Sequence, residues 1–391
     1  MAETTKRLLA QLANEGLVNI HLLPPPPQSQ SWSCVLTAKG SNSTRRAEVD
    51  LFSFSAPLSS HHWRPNDFKL PVFLDGVDHG VQENDPGAVF EFFAPAFACD
   101  EPTKDAITRE LRNCASMSTK WLEIAAKKPV LDLNSSFLEW EASLILGHPI
   151  HPFHRTCFAD NLLEPVGPEN LPDMLNPGIS LVLIPRSSVH MYGPFEELTH
   201  SLVKGLGVAP PVSNDLVIIP CLSRQLPAVL NYFPEAEHVK SVPGAAKAHA
   251  AIRTVSITGY EFDVKFSLAC QITSALRVLP CWSAAAAPRM TALMKEILPE
   301  DLWLFGEVAA VTGSQEDKSE ARHLTCILRE NLVPKAQEND EALILVSALM
   351  EKPLGSQQTY AEILFDLKTT VEKKKWFTRF VLFISKNFNF S

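Results

Sequence analysis

The chain predicts an α+β protein, with a helical N-terminal lobe and a central antiparallel sheet flanked by helices. Three observations carry this. Leu8, Leu9, Leu12 and Leu17 follow a helical stripe near the N-terminus, and a second helical pattern runs from about Pro102 to Ala126. Ile179 to Ile184 and Leu216 to Ile219 are short apolar runs, each ended by proline, as strands often are. Arg253 to Ile257 and Phe262 to Leu268 flank Thr258-Gly259-Tyr260, which suits a hairpin turn.

Taken in order, Thr4 or Thr5 caps the first helix. Pro24 to Pro27, followed by Gln-Ser-Gln-Ser, form a stiff exposed break. Ala47 to Phe54 alternates as a strand, whereas residues 55 to 90 are rich in His, Pro, Asp and Gly and read as irregular surface. The 102–126 helix offers Ile107, Leu111 and Leu122 to a core. A further helix from Ser135 to Leu146 stops at Gly147, because glycine accepts the left-handed conformation.

Gly147-His148-Pro149-Ile150-His151-Pro152-Phe153-His154-Arg155 follows, with a histidine at every third position. Proline forbids a regular helix there and favours polyproline II, whose three residues per turn align His148, His151 and His154 on one face. Such a ridge, ending in a guanidinium, suits an anion or a zinc ion; a proline-stiffened surface loop is the plainer alternative.

Phe195 to Val203 reads as a helix between the two apolar runs. In the hairpin, a turn centred on Gly259 sets Arg253 opposite Lys265. Like charges facing each other across a sheet are unfavourable unless an anion lies between them. Gln271 to Arg277 reads as a helix whose first N–H groups, with Thr273 and Ser274, face an anion, and Arg277 adds a third cation. The alternative is that the three cations pair with separate carboxylates. Pro288 to Leu298 reads as a helix, Leu302 to Val311 as a strand and Glu341 to Met350 as a helix. Lys373 to Ile384 reads as an amphipathic helix that must pack on something.

Composition limits the function. Of 391 residues, 46% are hydrophobic and 20% charged, as in globular proteins, and there is room for two or three domains. A net charge of −9 argues against nucleic acid as partner. Eight scattered cysteines without a C-x-x-C pair suit reduced thiols. With no signal-peptide core and no membrane-length apolar run, an intracellular, cytoplasmic protein is expected. P-loop, G-x-G-x-x-G, G-x-S-x-G and H-E-x-x-H motifs are all missing from the sequence.

The motifs together resemble those of the IucA/IucC (aerobactin-synthetase-like) family of siderophore synthetases, which work without a peptide-synthetase template. Gly147 to Arg155 is similar to the family's G-H-P-x-H-P-x-x-K signature, with Arg155 at the lysine position. Ala251-Ile-Arg-Thr-Val resembles S-x-R-T-[LV], and Lys265-Phe-Ser-Leu and Thr273-Ser-Ala-Leu-Arg277 resemble the K-L-[SP]-L and T-S-A-x-R segments. Leu328-Arg-Glu-Asn331 and the opening Leu-Ala-Gln-Leu-Ala-Asn-Glu-Gly also match, so the likeness covers residues 5 to 331 in order.

The resemblance implies an ATP- and Mg2+-dependent ligase of hand-like fold. It would activate citrate or a related acid as an acyl-adenylate and condense it with an amine or alcohol. It implies a thumb-like lobe over residues 1–130 and an ATP-binding core over 131–391. Arg253, Thr254, Lys265 and Arg277 would contact the triphosphate. His148, His151 and Arg155 would serve catalysis, and His154 and Gln225 would bind substrate. Departures from the pattern are Ala251 for serine, Cys157 for an arginine, and Leu222 for the histidine of P-x-H-P-W-Q, of which Gln225 remains. The substitutions look closer to fungal members. The family's metal-binding and catalytic H-G-x-x-x-E-x-H-x-Q-N-type motif would lie beyond Ser391, so truncation is expected, with an exposed face at Trp376, Phe377 and Phe380 that promotes self-association. The alternative is an impaired paralogue that only binds nucleotide or a partner.

Overall fold

The computed structural model describes residues 1–25, 31–39, 45–52, 61–75, 80–148, 150–272, 275–315, 319–369 and 371–375. Helix α1 (Ala2–Asn14) packs Leu8, Leu9 and Leu12 on a five-stranded antiparallel meander: β1 (Val18–Leu23), β2 (Ser33–Ala38), β3 (Arg46–Leu51), β4 (Phe68–Leu74) and β5 (Val81–Glu83). Strict alternation along β2 and β3 sends Cys34, Leu36, Val49 and Leu51 inward. The α+β class is as expected, but the N-terminal lobe is not only helical. Its β4 and β5 lie in the stretch read as irregular, where scattered Pro, His and Asp hide the alternation. Met1, not Thr4 or Thr5, is the N-cap of α1. Both threonines are buried one turn inside, with Thr4 Oγ1 on Cys114 Sγ and Thr5 Oγ1 donating to Asn84 O. Leu17 lies past the helix and is 40% exposed.

Helix α2 (Pro86–Phe93) completes this core. Helix α3 (Glu101–Ala125) is shared: Leu111 faces the N-terminal core, whereas Met117 and Trp121 enter the main core. The predicted 135–146 helix is only one turn, α4 (Phe137–Glu141), started by the Ser136–Glu139 capping box. Gly147 does adopt a left-handed φ of 71°, but inside a loop rather than at a helix end.

Among the described residues, the rest of the chain builds three sheets. Strands β6 (Cys157–Ala159), β7 (Ile179–Pro185), β8 (Val189–Tyr192), β9 (Leu216–Leu222), β10 (Glu237–Val242), β11 (Ala246–Ala248), β12 (Thr254–Ile257), β13 (Phe262–Phe266), β14 (Leu268–Ile272), β15 (Ala275–Arg277), β16 (Glu307–Gly313) and β17 (Cys326–Glu330) pair in the orders β10-β7-β9, β11-β12-β13-β17-β16-β8 and β15-β14-β6. Between them lie α5 (Leu171–Leu175), α6 (Phe195–Gly205), α7 (Leu226–Tyr232) and α8 (Cys281–Ile297). Helix α8 begins seven residues before the predicted Pro288, which sits within it. Strand β16 starts at Glu307 rather than Leu302, and the 341–350 helix shrinks to Val346–Leu349.

The predicted 271–277 helix is absent. Gln271 and Ile272 belong to β14, which pairs with β15 on one side and β6 on the other, so strand partners from distant sequence override the local helical pattern. Thr273, Ser274 and Trp376 to Ile384 lie outside the described residues, and with them the face expected at Trp376, Phe377 and Phe380.

In the 147–155 loop a Cβ on Gly147 would meet His154 O at 2.9 Å, on a backbone already at positive φ. Gly147→Ala is therefore expected to lose about 1–3 kcal/mol of stability, read as a lowered urea midpoint. An unchanged midpoint would contradict this packing.

Candidate functional site

The six-stranded sheet has two unlike faces. Its register sets Thr254 opposite Lys265 and Ser256 opposite Asp263, then Asp263 opposite Arg329 and Arg329 opposite Glu307. Period-two alternation therefore gathers these six polar side chains on one face. Val255, Val264, Phe266, Cys326 and Leu328 point the other way into the main core.

The predicted pairing of Arg253 with Lys265 is displaced by one residue. The turn holds four residues, 258–261, closed by Tyr260 N donating to Ile257 O, with Gly259 at φ 78°. Arg253 thus precedes β12, and its carbonyl accepts from Phe266 N. Its guanidinium reaches away from the strand, and Nη1 donates to Arg277 O at 3.1 Å and Val278 O at 3.4 Å. Burial and then nearby Arg277 lower the Arg253 pKa, while Glu307 opposes them. Lys265 Nζ donates to Glu307 Oε1 at 2.8 Å. The cations are thus neither wholly separate nor bare: Lys265 pairs with Glu307, whose charge also reaches Arg253, while Arg277 lies beside Arg253 and donates through Nε to Ile272 O at 3.3 Å.

The histidine loop departs most from expectation. Residues 152–155 form turns, and the three imidazoles do not share a face. His148 and His151 are ring neighbours at 5.7 Å between centroids, and each Nδ1 accepts backbone N–H groups, from Ile150 and His151 and from Phe153 respectively. Buried Arg7 of α1 donates to His148 O, tying this loop to the N-terminal lobe. His154 is turned inward between Cys114 Sγ (3.4 Å) and Ser118 Oγ (3.3 Å); burial, with Arg7 and Arg155 nearby, pushes its pKa down to about 2.

Arg155 is buried as well. It donates through Nε to Ile145 O at 2.7 Å and through Nη2 to Leu144 O, and lies 4.0 Å over the Trp121 ring. Burial lowers its pKa to about 10, with Glu351 opposing. Gln225 is fully buried, accepting from Ala269 N at 2.7 Å and donating to His323 O at 3.1 Å. His154, Arg155 and Gln225 therefore hold the fold in this conformation, and a ligand would have to displace their protein partners. Cys157 is buried in β6, bracketed by both amide atoms of Asn113. Among the described residues no group of three or more His, Cys, Asp or Glu side chains is placed to hold a metal ion, so a zinc site on the three histidines does not fit them.

Sequence reasoning missed a buried ionic cluster beside the cations. His249 lies between Glu141 of α4 and Asp263 of β13, each at 3.5 Å. Its Nε2 donates to Ser256 Oγ at 2.9 Å, and Ser256 donates in turn to Asp263 Oδ1 at 2.6 Å. Arg329 Nη2 donates to Asp263 Oδ2 at 2.7 Å. Burial acts to lower the His249 pKa, but hydrogen bonds to Asp263 and Glu141 outweigh it and the net shift is upward. Burial acts to raise Asp263 and Glu141, and their partners outweigh it downward. The only sequence signal was a period-two row of polar residues at Thr254, Ser256, Asp263 and Lys265.

A raised histidine stabilises fully below its unfolded pKa of about 6.5 and loses that contribution as pH rises through the folded value. The depressed carboxylates stabilise above about pH 4 and lose that contribution as pH falls. The stability deficit of H249N in urea unfolding is therefore expected to be larger at pH 6 than at pH 9. A deficit that grows with pH would contradict the charged pairing.

One cavity borders the six-stranded sheet and another lies beside the loop that carries Arg253. The first, of about 770 Å³, at the Phe262 end of β13, is lined by Lys295, Trp303, Glu330 and Lys335 among others and contains no predicted site residue. The other, about 340 Å³, is bounded by Leu222, Ser223, Arg224, Ile252 and Leu268, next in sequence to Gln225 and Arg253.

Known proteins share this arrangement of chain. Residues 235–351 match the IucA / IucC family model. The NRPS-independent siderophore synthetase-like protein ankE of Aspergillus thermomutatus is 37% identical over 97% of this chain and 66% of its own length. The petrobactin biosynthesis protein AsbB of Bacillus anthracis superposes with a TM-score of 0.68 at 16% identity, over 93% of this chain and 63% of its own. ATP-bound aerobactin synthetase IucA of Klebsiella pneumoniae gives 0.66 at 14% identity, over 91% and 66%. The chain thus spans about two thirds of the length of these relatives. No helix among the described residues is long and apolar enough to cross a membrane. With the motif order, the fungal relative and the fold in agreement, the chain belongs to the IucA/IucC family of siderophore synthetases.

Proposed function

We propose that the chain carries the nucleotide site of an ATP-dependent ligase that adenylates a carboxylic acid, citrate or a related polycarboxylate, and passes the acyl group to an amine or alcohol. The observation that carries this reading is the approach of Arg253 to Arg277 and of Arg253 and Lys265 to Glu307 at the edge of the polar sheet face. Arg277 lowers the proton affinity of Arg253, so this pair gains when a polyanion settles between the two guanidinium groups. A triphosphate supplies that charge, and cations held in place also stabilise the negative charge that grows on departing pyrophosphate. Thr254, buried at the start of β12, is the hydroxyl expected on the same phosphates.

Lys265 exchanges Glu307 for phosphate when nucleotide binds, and Glu307 remains to orient it. The acid is assigned to the 340 Å³ cavity, whose lining sets the cation Arg224 and the hydroxyl of Ser223 beside the carboxyl groups of Glu164 and Asp173. His148 and His151, partly exposed at the loop surface, are assigned to the reacting carboxylate. Magnesium bound with the nucleotide would supply charge to its phosphates. Residues 1–130 form the thumb-like lobe and 131–391 the nucleotide-binding core, with α3 shared by both. Substrates are small molecules rather than nucleic acid, the setting is cytoplasmic, and self-association is consistent with the reading.

One observation favours a second reading, nucleotide binding without turnover. The Arg155 guanidinium, expected in catalysis, is enclosed by Leu144 O, Ile145 O and Trp121. ATP–pyrophosphate exchange dependent on a citrate-like acid separates the two, with calorimetric ATP binding as the second readout. Lys265→Ala is expected to abolish exchange and to weaken ATP binding about 10- to 150-fold, the loss of one charge-assisted hydrogen bond of about 1.5–3 kcal/mol. Binding without exchange selects the second reading. Exchange unaffected by Lys265→Ala rules out the site.

A further inference from the structure

Arg253 is aimed by a strained loop, and the strain has a visible anchor. Ile252, a β-branched residue, sits at φ 63°, in the left-handed region that such side chains avoid. This conformation is unfavourable and persists only where the surroundings over-determine it. The surroundings converge on His249. Its N–H donates to Thr254 O at 2.8 Å and its carbonyl accepts from Ile252 N at 2.9 Å, closing residues 249–254 into a tight loop. Inside it Arg253 N donates to Ala251 O at 2.7 Å.

The His249 side chain reaches across to Glu141, Asp263 and Ser256, and the ring of Phe137 meets it edge-on at 6.1 Å between centroids. Glu141 grips the same loop a second time, its Oε2 accepting from Ala250 N at 2.9 Å. Arg329, the remaining charge beside the imidazole, is held by Asp263 and lies over Phe305. One residue therefore joins three things: α4 in front of the histidine loop, the loop that carries Arg253, and the strand that carries Lys265.

We propose that His249 is a positioning residue of the anion site: clamped by Glu141 and Asp263, it holds the 249–254 loop in its strained form so that Arg253 points towards Arg277. The consequence for nucleotide rests on the reading under Proposed function; the clamp itself does not. Two alternatives were weaker as physical accounts of these contacts. A mere core-filling role leaves the repeated use of Glu141 on both His249 and Ala250 without purpose, and a surface ion pair does not fit a His249 side chain only 3% exposed.

The test is hydrogen–deuterium exchange on the free protein, comparing wild type, H249A and E141Q, followed by ATP titration of each. E141Q keeps an acceptor for Ala250 N and guards against a failure of H249A to fold. Exchange of peptides covering 250–256 is expected to quicken at least tenfold in H249A and less in E141Q, with other strands of the sheet unchanged. Added imidazole is expected to restore protection in H249A, and ATP affinity is expected to fall about tenfold in H249A and recover with imidazole. Wild-type protection of 250–256 in both variants overturns the proposal. Faster exchange spread evenly over the whole sheet does so too, because it marks a general structural role. If wild type shows the protected loop yet binds no ATP, the nucleotide reading fails while the clamp stands.

Discussion

The register of one hairpin governs the site. A four-residue turn places Thr254 opposite Lys265, and every polar side chain on the β12–β13–β17 face inherits its position from that pairing. One residue of slippage would send Thr254 and Lys265 to opposite faces and carry Val255 or Val264 out of the core. The buried valines and Phe266 therefore protect the chemistry on the other side of the same backbone. Arg253, just outside the strand, escapes the alternation and is free to be aimed by its loop.

Charge balance explains why so many ionic groups coexist there. Asp263 is enclosed by His249, Ser256 and Arg329, while Glu307 answers Lys265 and lies near Arg253. The interior groups bond to one another, as buried charges require, with Arg329 Nε left without a hydrogen-bond partner. Further out, Lys265 leans on Glu307, and Arg253 on two backbone carbonyls and the charge of Glu307. The two populations differ in burial: Asp263 is 2% exposed in its side chain, and Lys265 28%.

The sequence disclosed the strands with clear endings and the motif residues, and it disclosed the family through their order. It could not disclose where the motif side chains point. His154 and Arg155 look like ridge residues until α3 supplies Cys114, Ser118 and Trp121, some 34 to 41 positions earlier in the chain. Gln271 and Ile272 open a helical pattern, yet β6, more than a hundred residues upstream, draws them into a sheet. His249 and Glu141 lie 108 positions apart and match no motif, so their pairing is legible only in three dimensions. Local patterns gave the inventory of cations; long-range packing decided which of them face a ligand.

The central claim is that nucleotide binds at Arg253, Lys265 and Arg277. Photolabelling with azido-ATP, followed by mass-spectrometric mapping of the modified peptide, tests it most directly. The account predicts label in peptides spanning residues 249–278, competed away by ATP. Competed label confined to the peptide around Trp303 and Lys335, in the larger cavity at the other end of β13, would contradict it.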